Sequence, residues 1–187
     1  MMVSLISLWL PIVLGAVFVF IVSSVVHTLL PYHWNDFGPV PKQDDVQAAL
    51  RPFAIPPGDY MLPKPATPKD MKSPEFQDKW NKGPKAVMTV FPAGPATMGK
   101  QLVQWFVYCL VVGLFAAYIA SRTLAPGTEY LQVFRVTGSV AFAGYGLALL
   151  QASIWMGRRW STTLKSVGDA LVYGLVTGGA FGWLWPM

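Results

Sequence analysis

Cysteine is nearly absent from this chain. Cys109 is the only one and sits inside an apolar run, so an internal disulfide and a cysteine-built metal or redox framework are excluded. It reads as a small buried hydrophobe. Histidine is almost as scarce, with only His27 and His33. These two stand six apart with Pro31 between them, whereas a bis-histidine haem needs ligands on facing helices. With no cysteine or acid cluster beside them, neither a metal nor a cofactor is expected. Charged residues make up only 12% of the chain. The net charge of +5 comes without a basic amphipathic face, which argues against nucleic acid as a partner. A phosphate-cradling glycine loop, a nucleophile elbow and a zinc-protease motif are all missing. The fragment Gly144-Tyr145-Gly146 lies within an apolar span and reads as packing. No catalytic residue is assigned, and an enzyme is the weakest of the functional classes considered.

What is abundant is apolar side chain, at 53% of residues. That is rich for a soluble domain of this length and fits a polytopic membrane protein. Apolar stretches predict spans at about 5–30, 101–121, 129–156 and 164–185. The expected fold is all-α and integral to a membrane. It is a four-helix bundle with a proline-rich extramembrane cap, the whole of 1–187 forming one membrane domain. No basic residue precedes the first stretch and no small-residue cleavage site follows it, so it reads as a retained span. Ser7, Pro11, Gly15, Ser23 and His27 fall near one stripe of that helix and should face protein. Pro31 ends it, and Tyr32, His33 and Trp34 follow as interface residues. Gly113, Ala117 and Ser121 give the second span a small-residue stripe. Arg135, in the third, reads as an anchor within snorkelling reach of Glu129 and the interface. Ser161 to Thr163 should cap the fourth.

The connection at 35–99 holds 12 of the 16 prolines and seven of the nine acids. It is too proline-broken to span a membrane and too rich in apolar and aromatic residues for simple disorder. Asp44 to Leu50 reads as a short helix. Ser73-Pro74-Glu75 starts another, with a serine cap, a proline in the first turn and an acid at the positive end of the dipole. That helix should stop near Gly83-Pro84. Lys85 to Phe91 is a β-branched run expected to pair with Asp59 to Leu62. The whole is expected to form an ordered cap on the membrane face.

Four spans put both termini on one side. Apart from Arg122 and Arg135, the basic residues lie in or beside the long connection and the turn carrying Arg158, Arg159 and Lys165. Basic loops stay inside. The long loop and the turn are therefore expected in the cytoplasm, and the termini outside.

Topology and depth together bring out one polar layer at the inner ends of the helices: His27, Gln104, Gln151 and Asp169, with Ser153 close by. Asp169 and His27 could act there as a proton-titrating pair. The favoured reading is that the layer is solvated or stitches helices together, with Lys165 answering Asp169 from one turn away. Gly174, Gly178 and Gly182 form a packing seam about 180° around the last helix from Asp169. The seam meets either another subunit or a second helix of the same chain.

The strings PPGDYMLP (56–63), QWFVY (104–108) and GWLWP (182–186) run through a chain that resembles a family of uncharacterised four-span bacterial membrane proteins. The resemblance implies a multi-pass protein of the bacterial inner membrane and adds no activity or site. The expected function is non-catalytic: an accessory or assembly subunit of a membrane complex. It would work within the lipid bilayer, as a homo-oligomer or with other subunits. The alternative is a small proton-coupled transporter or channel using Asp169 and His27.

Overall fold

An apolar helix satisfies its own backbone hydrogen bonds, which is what lipid requires of it. The structure, a computed structural model, describes residues 2–187. It is mostly helical. Three helices, Ile6–Leu29, Gly99–Thr123 and Tyr130–Met156, are long and apolar enough to cross a membrane. In chain order the helices are α1 (Trp9–Ser24), α2 (Gln43–Leu50), α3 (Pro74–Lys82), α4 (Gly99–Thr123), α5 (Tyr130–Gly146), α6 (Leu150–Met156) and α7 (Trp160–Trp183). Strands β1 (Gly58–Leu62) and β2 (Ala86–Val90) pair with each other. By its contacts the chain divides into two compact units, Met1–Phe37 with Thr97–Met187, and Gly38–Ala96.

In the first unit α1, α4, α5 and α7 lie side by side, each packed against two of the others. Small residues line the joins. Cys109, Gly113, Ala116, Ala117, Ala120 and Ser121 of α4 are buried, as are Pro11, Gly15, Ala16 and Val19 of α1. One apolar cluster gathers Leu8, Leu124, Val133, Phe181 and Trp185 at one end. There the Gly127 amide donates to the Pro186 carbonyl at 2.8 Å, and the Trp185 indole donates to the Ala125 carbonyl at 3.0 Å. A second cluster holds Val19, Cys109, Val112, Tyr145, Ala170 and Tyr173. The outward faces are apolar instead of polar: Val107, Phe115 and Leu175 are all exposed. Exposed apolar surface of this extent marks a lipid or protein contact.

The closest join is between α5 and α7. A methyl group placed on Gly174 would lie 2.9 Å from the Gly138 carbonyl oxygen. One on Gly178 would lie 2.8 Å from the Phe134 carbonyl oxygen, and one on Gly182 would lie 2.7 Å from the Tyr130 ring. The glycine seam is therefore filled by α5 of the same chain. Between α5 and α6 the helix tightens into a 3-10 turn at Leu147–Leu149. Beside that turn, a methyl on Gly146 would meet Ala170 of α7 at 2.8 Å. At the start of α7 the expected side-chain cap is not formed, because Arg159 is the N-cap residue. The Ser153 hydroxyl instead donates to that of Thr163 at 2.7 Å, a buried bond that ties α6 to α7.

The second unit follows its local signals. Ser73 caps α3, accepting from the Phe76 amide at 3.2 Å, and Gly83 ends the helix in the left-handed region at φ 61°. β1 and β2 are antiparallel with Tyr60 opposite Met88. This is the pairing expected from the β-branched run.

A pair of single-methyl substitutions tests the α5–α7 join. Gly178→Ala should destabilise the protein by roughly 1–3 kcal/mol, since α5 must move away. Gly179→Ala, whose methyl would meet nothing nearer than 3.7 Å, should be neutral or slightly stabilising. Thermal unfolding in detergent checks both, and equal effects would contradict the close join.

Candidate functional site

The site forms where α1 ends. Ser23 and Ser24 both donate to the Phe20 carbonyl, at 2.9 and 2.8 Å, and Thr28 donates to that of Ser24 at 2.6 Å. Such back-bonding bends helices. The last turn, Val25–Leu29, widens into a π-turn that carries His27. Leu30 is extended, as a residue before proline tends to be. Pro31 then opens a 3-10 turn, Pro31–His33, held by a 3.0 Å bond from the Trp34 amide to the Pro31 carbonyl. This corner brings Tyr32, His33 and Asp36 against the first turns of α7. There Lys165, Asp169 and Tyr173 follow at fourfold spacing on one face.

The polar groups close into a ring. His33 Nε2 lies 2.8 Å from Asp169 Oδ2, and its Nδ1 lies 2.6 Å from Asp36 Oδ2. Lys165 Nζ donates to Asp36 Oδ1 at 2.9 Å and to the Tyr32 carbonyl at 2.6 Å. The Tyr32 hydroxyl returns to the Lys165 carbonyl at 3.0 Å and reaches Asp169 Oδ1 at 3.4 Å. Both contacts of His33 are hydrogen bonds when both ring nitrogens carry protons. The two carboxylates thus share the His33 ring and the Lys165 ammonium as partners. This matters because the carboxylates are only 8–9% exposed, and buried charge is tolerated when it is paired and hydrogen-bonded. Burial pushes the Asp36 carboxyl up, but hydrogen bonds from His33 and Lys165, together with their charges, outweigh it and hold the group below the usual carboxylate range. Burial, and then the Asp169 charge, raises the Tyr32 phenol above its ordinary value.

The His27 ring lies over that of His33, with centroids 4.4 Å apart, and its Nε2 is 3.5 Å from the Tyr173 hydroxyl. One ligand atom each from His27, His33 and Asp169 can be chosen so that all lie within 4.8 Å of one another. An open cleft of about 400 Å³ borders the two histidines and Trp34. On the inner side, Trp105, Tyr108, Tyr145 and Tyr173 form an aromatic layer with centroids 5.6–6.1 Å apart. The Trp105 indole there donates to Ser23 at 2.8 Å.

Of the four residues assigned to the polar layer, the structure brings His27 and Asp169 together and leaves the others out. Gln104 and Gln151 are exposed and make no side-chain hydrogen bond among the described residues. Depth alone does not make groups converge, because rotation about each helix axis also counts. Lys165 does not answer Asp169 directly but reaches Asp36. Pro31 does not keep the two histidines apart; it folds one under the other. Arg135 is exposed beside an α5–α7 groove and has no ion-pair partner among the described residues, Glu129 included. The residues the sequence reading missed are Tyr32, His33 and Asp36. Their signal was Tyr32, His33 and Asp36 just past a helix-ending proline, with Lys165 and Asp169 one turn apart elsewhere in the chain. Comparison with protein-family models, with curated proteins and with solved structures finds no match to this chain.

Removing Asp36 should open the ring. Asp36→Ala is expected to cost roughly 1–3 kcal/mol, because it strips acceptors from His33 and Lys165. Lys165→Met should cost less, since that side chain is 29% exposed. The double variant should be little worse than Asp36→Ala alone. Strictly additive losses in thermal unfolding would show that the groups do not act as one unit.

Proposed function

We propose that the chain is a non-catalytic integral membrane protein with four spans, serving as an accessory or assembly subunit of a membrane complex. The observation that carries this reading is the contrast between the inside and the outside of the first unit. Inside, the helices meet through glycine and alanine, and the polar groups are partnered. Outside, apolar side chains cover the helices. That is how a protein is built to hold a shape among lipids and other subunits.

The fourth span in this reading is α7. Its 24 residues reach about 36 Å, enough to cross a bilayer. Its two charges, Lys165 and Asp169, sit in the first three turns and are already answered by the ring, which lowers the cost of placing them near lipid. Four spans put both termini on one side, and the basic loops make that side the outside. The Arg158/Arg159 turn and the Gly38–Ala96 unit then lie in the cytoplasm of a bacterial inner membrane, in line with the positive-inside tendency and with the family resemblance. A homo-oligomer or a larger complex would use the apolar outer faces, since α5 occupies the glycine seam. The carrier reading has less behind it. It needs a route onward from Asp169, where Tyr173, Tyr145 and Trp105 are packed edge to face.

Two measurements test the proposal. In a Cys109→Ser background, an impermeant maleimide applied to intact cells should label Glu129→Cys and leave Lys79→Cys and Arg158→Cys untouched. Labelling of either basic position from outside overturns the orientation. Purification in mild detergent should yield a stoichiometric partner or a stable oligomer. A lone monomer that, once reconstituted, carries a proton flux abolished by Asp169→Asn would replace the assembly reading with the carrier one.

A further inference from the structure

Two imidazoles and a carboxylate from distant parts of the chain meet at the end of α1. We propose that His27, His33 and Asp169 bind a divalent transition-metal ion of the zinc class. This does not rest on the reading of the protein as an assembly subunit.

Three observations carry it. The first is the donor set. Two histidines and one carboxylate, with a further position open, is the ligand arrangement of many zinc and non-haem iron sites. The three ligand atoms lie within 4.8 Å of one another. A tetrahedral ion with bonds of about 2.0–2.1 Å places its ligands about 3.4 Å apart. Closure therefore asks for side-chain adjustments of about an ångström. His27 is free to make them, because its Nε2 has a single 3.5 Å contact, to Tyr173, and its π-turn is exposed. The ion takes the place of the proton held between His33 Nε2 and Asp169 Oδ2, and that proton leaves to solvent.

The second observation is the shell behind the ligands. Asp36 Oδ2, 2.6 Å from His33 Nδ1, holds the ring so that Nε2 faces the site. A carboxylate behind a histidine in this way orients a metal ligand and raises its basicity. Asp36 is itself pinned by Lys165 at 2.9 Å, and the Tyr32 hydroxyl reaches the second oxygen of Asp169 at 3.4 Å. A salt bridge kept only for stability would not need a second imidazole with its centroid 4.4 Å away.

The third observation is access. The cleft of about 400 Å³ beside His27, His33 and Trp34 is open, so an ion can enter, and a water can complete its coordination.

The test uses the full-length, untagged protein in detergent, stripped with chelator and titrated with Co2+ alone and then with Zn2+ in competition. The expected result is a single Co2+ per chain, with the visible bands of a low-symmetry nitrogen and oxygen site, displaced by Zn2+. His27→Ala leaves the His33–Asp36–Asp169 ring intact, so it should keep the thermal midpoint of the stripped protein while losing the cobalt spectrum. Asp36→Asn should weaken binding by about 10–100-fold. A stripped wild-type protein that takes up no Co2+ or Zn2+ beyond a detergent blank overturns the proposal. So does a folded His27→Ala variant that binds as the wild type does, and the outcome of the partner and labelling experiments alters neither conclusion.

Discussion

Everything at one end of the first unit depends on a carboxylate buried in a helix. Asp169 sits in α7 with almost no exposure, where an unanswered charge would be costly. The answer comes from the segment after α1, which must turn back to supply it. Pro31 makes that turn, His33 delivers the contact, and Asp36, itself held by Lys165, holds the far side of the His33 ring. The widened last turn of α1, the cleft and the nearness of the two histidines all belong to the corner that reaches α7.

The opposite face of α7 meets a different constraint. Gly174, Gly178 and Gly182 lie about half a turn around from Asp169. They let α5 approach until backbone meets backbone, and any side chain would hold it off. Helix α7 is thus held by charge on one side and by close packing on the other. The two grips differ in kind. Packing between helices is short-ranged and unaffected by salt, whereas a charged ring responds to ions and solvent at its edge. The cleft opens on the charged side, so what chemistry the unit has is at that end.

Beneath the ring, four aromatic side chains seal the polar end from the small-residue core. Trp and Tyr suit this place because each has an apolar body and one polar atom to satisfy. The Trp105 indole finds Ser23, and the Tyr108 hydroxyl finds the Gly144 carbonyl at 2.6 Å. Beyond this layer the buried hydroxyls of Ser121, Thr137 and Thr177 bond only to backbone carbonyls of their own helices.

The sequence by itself determined the elements whose causes are local. The apolar runs give the long helices, the serine cap and Gly83 bound α3, and a β-branched run gives the β1–β2 pair. It also singled out Asp169 and the glycine seam on opposite faces of one helix, because helical period alone sets that angle. Only the tertiary structure decided what each face meets. It put α5 on the seam, folded His33 under His27, sent Lys165 to Asp36 and left Gln104 and Gln151 outside. Depth along a helix can be counted from a sequence, but rotation about its axis and the path of a corner are set by neighbouring helices. The site depends on both, so it could not be read one residue at a time.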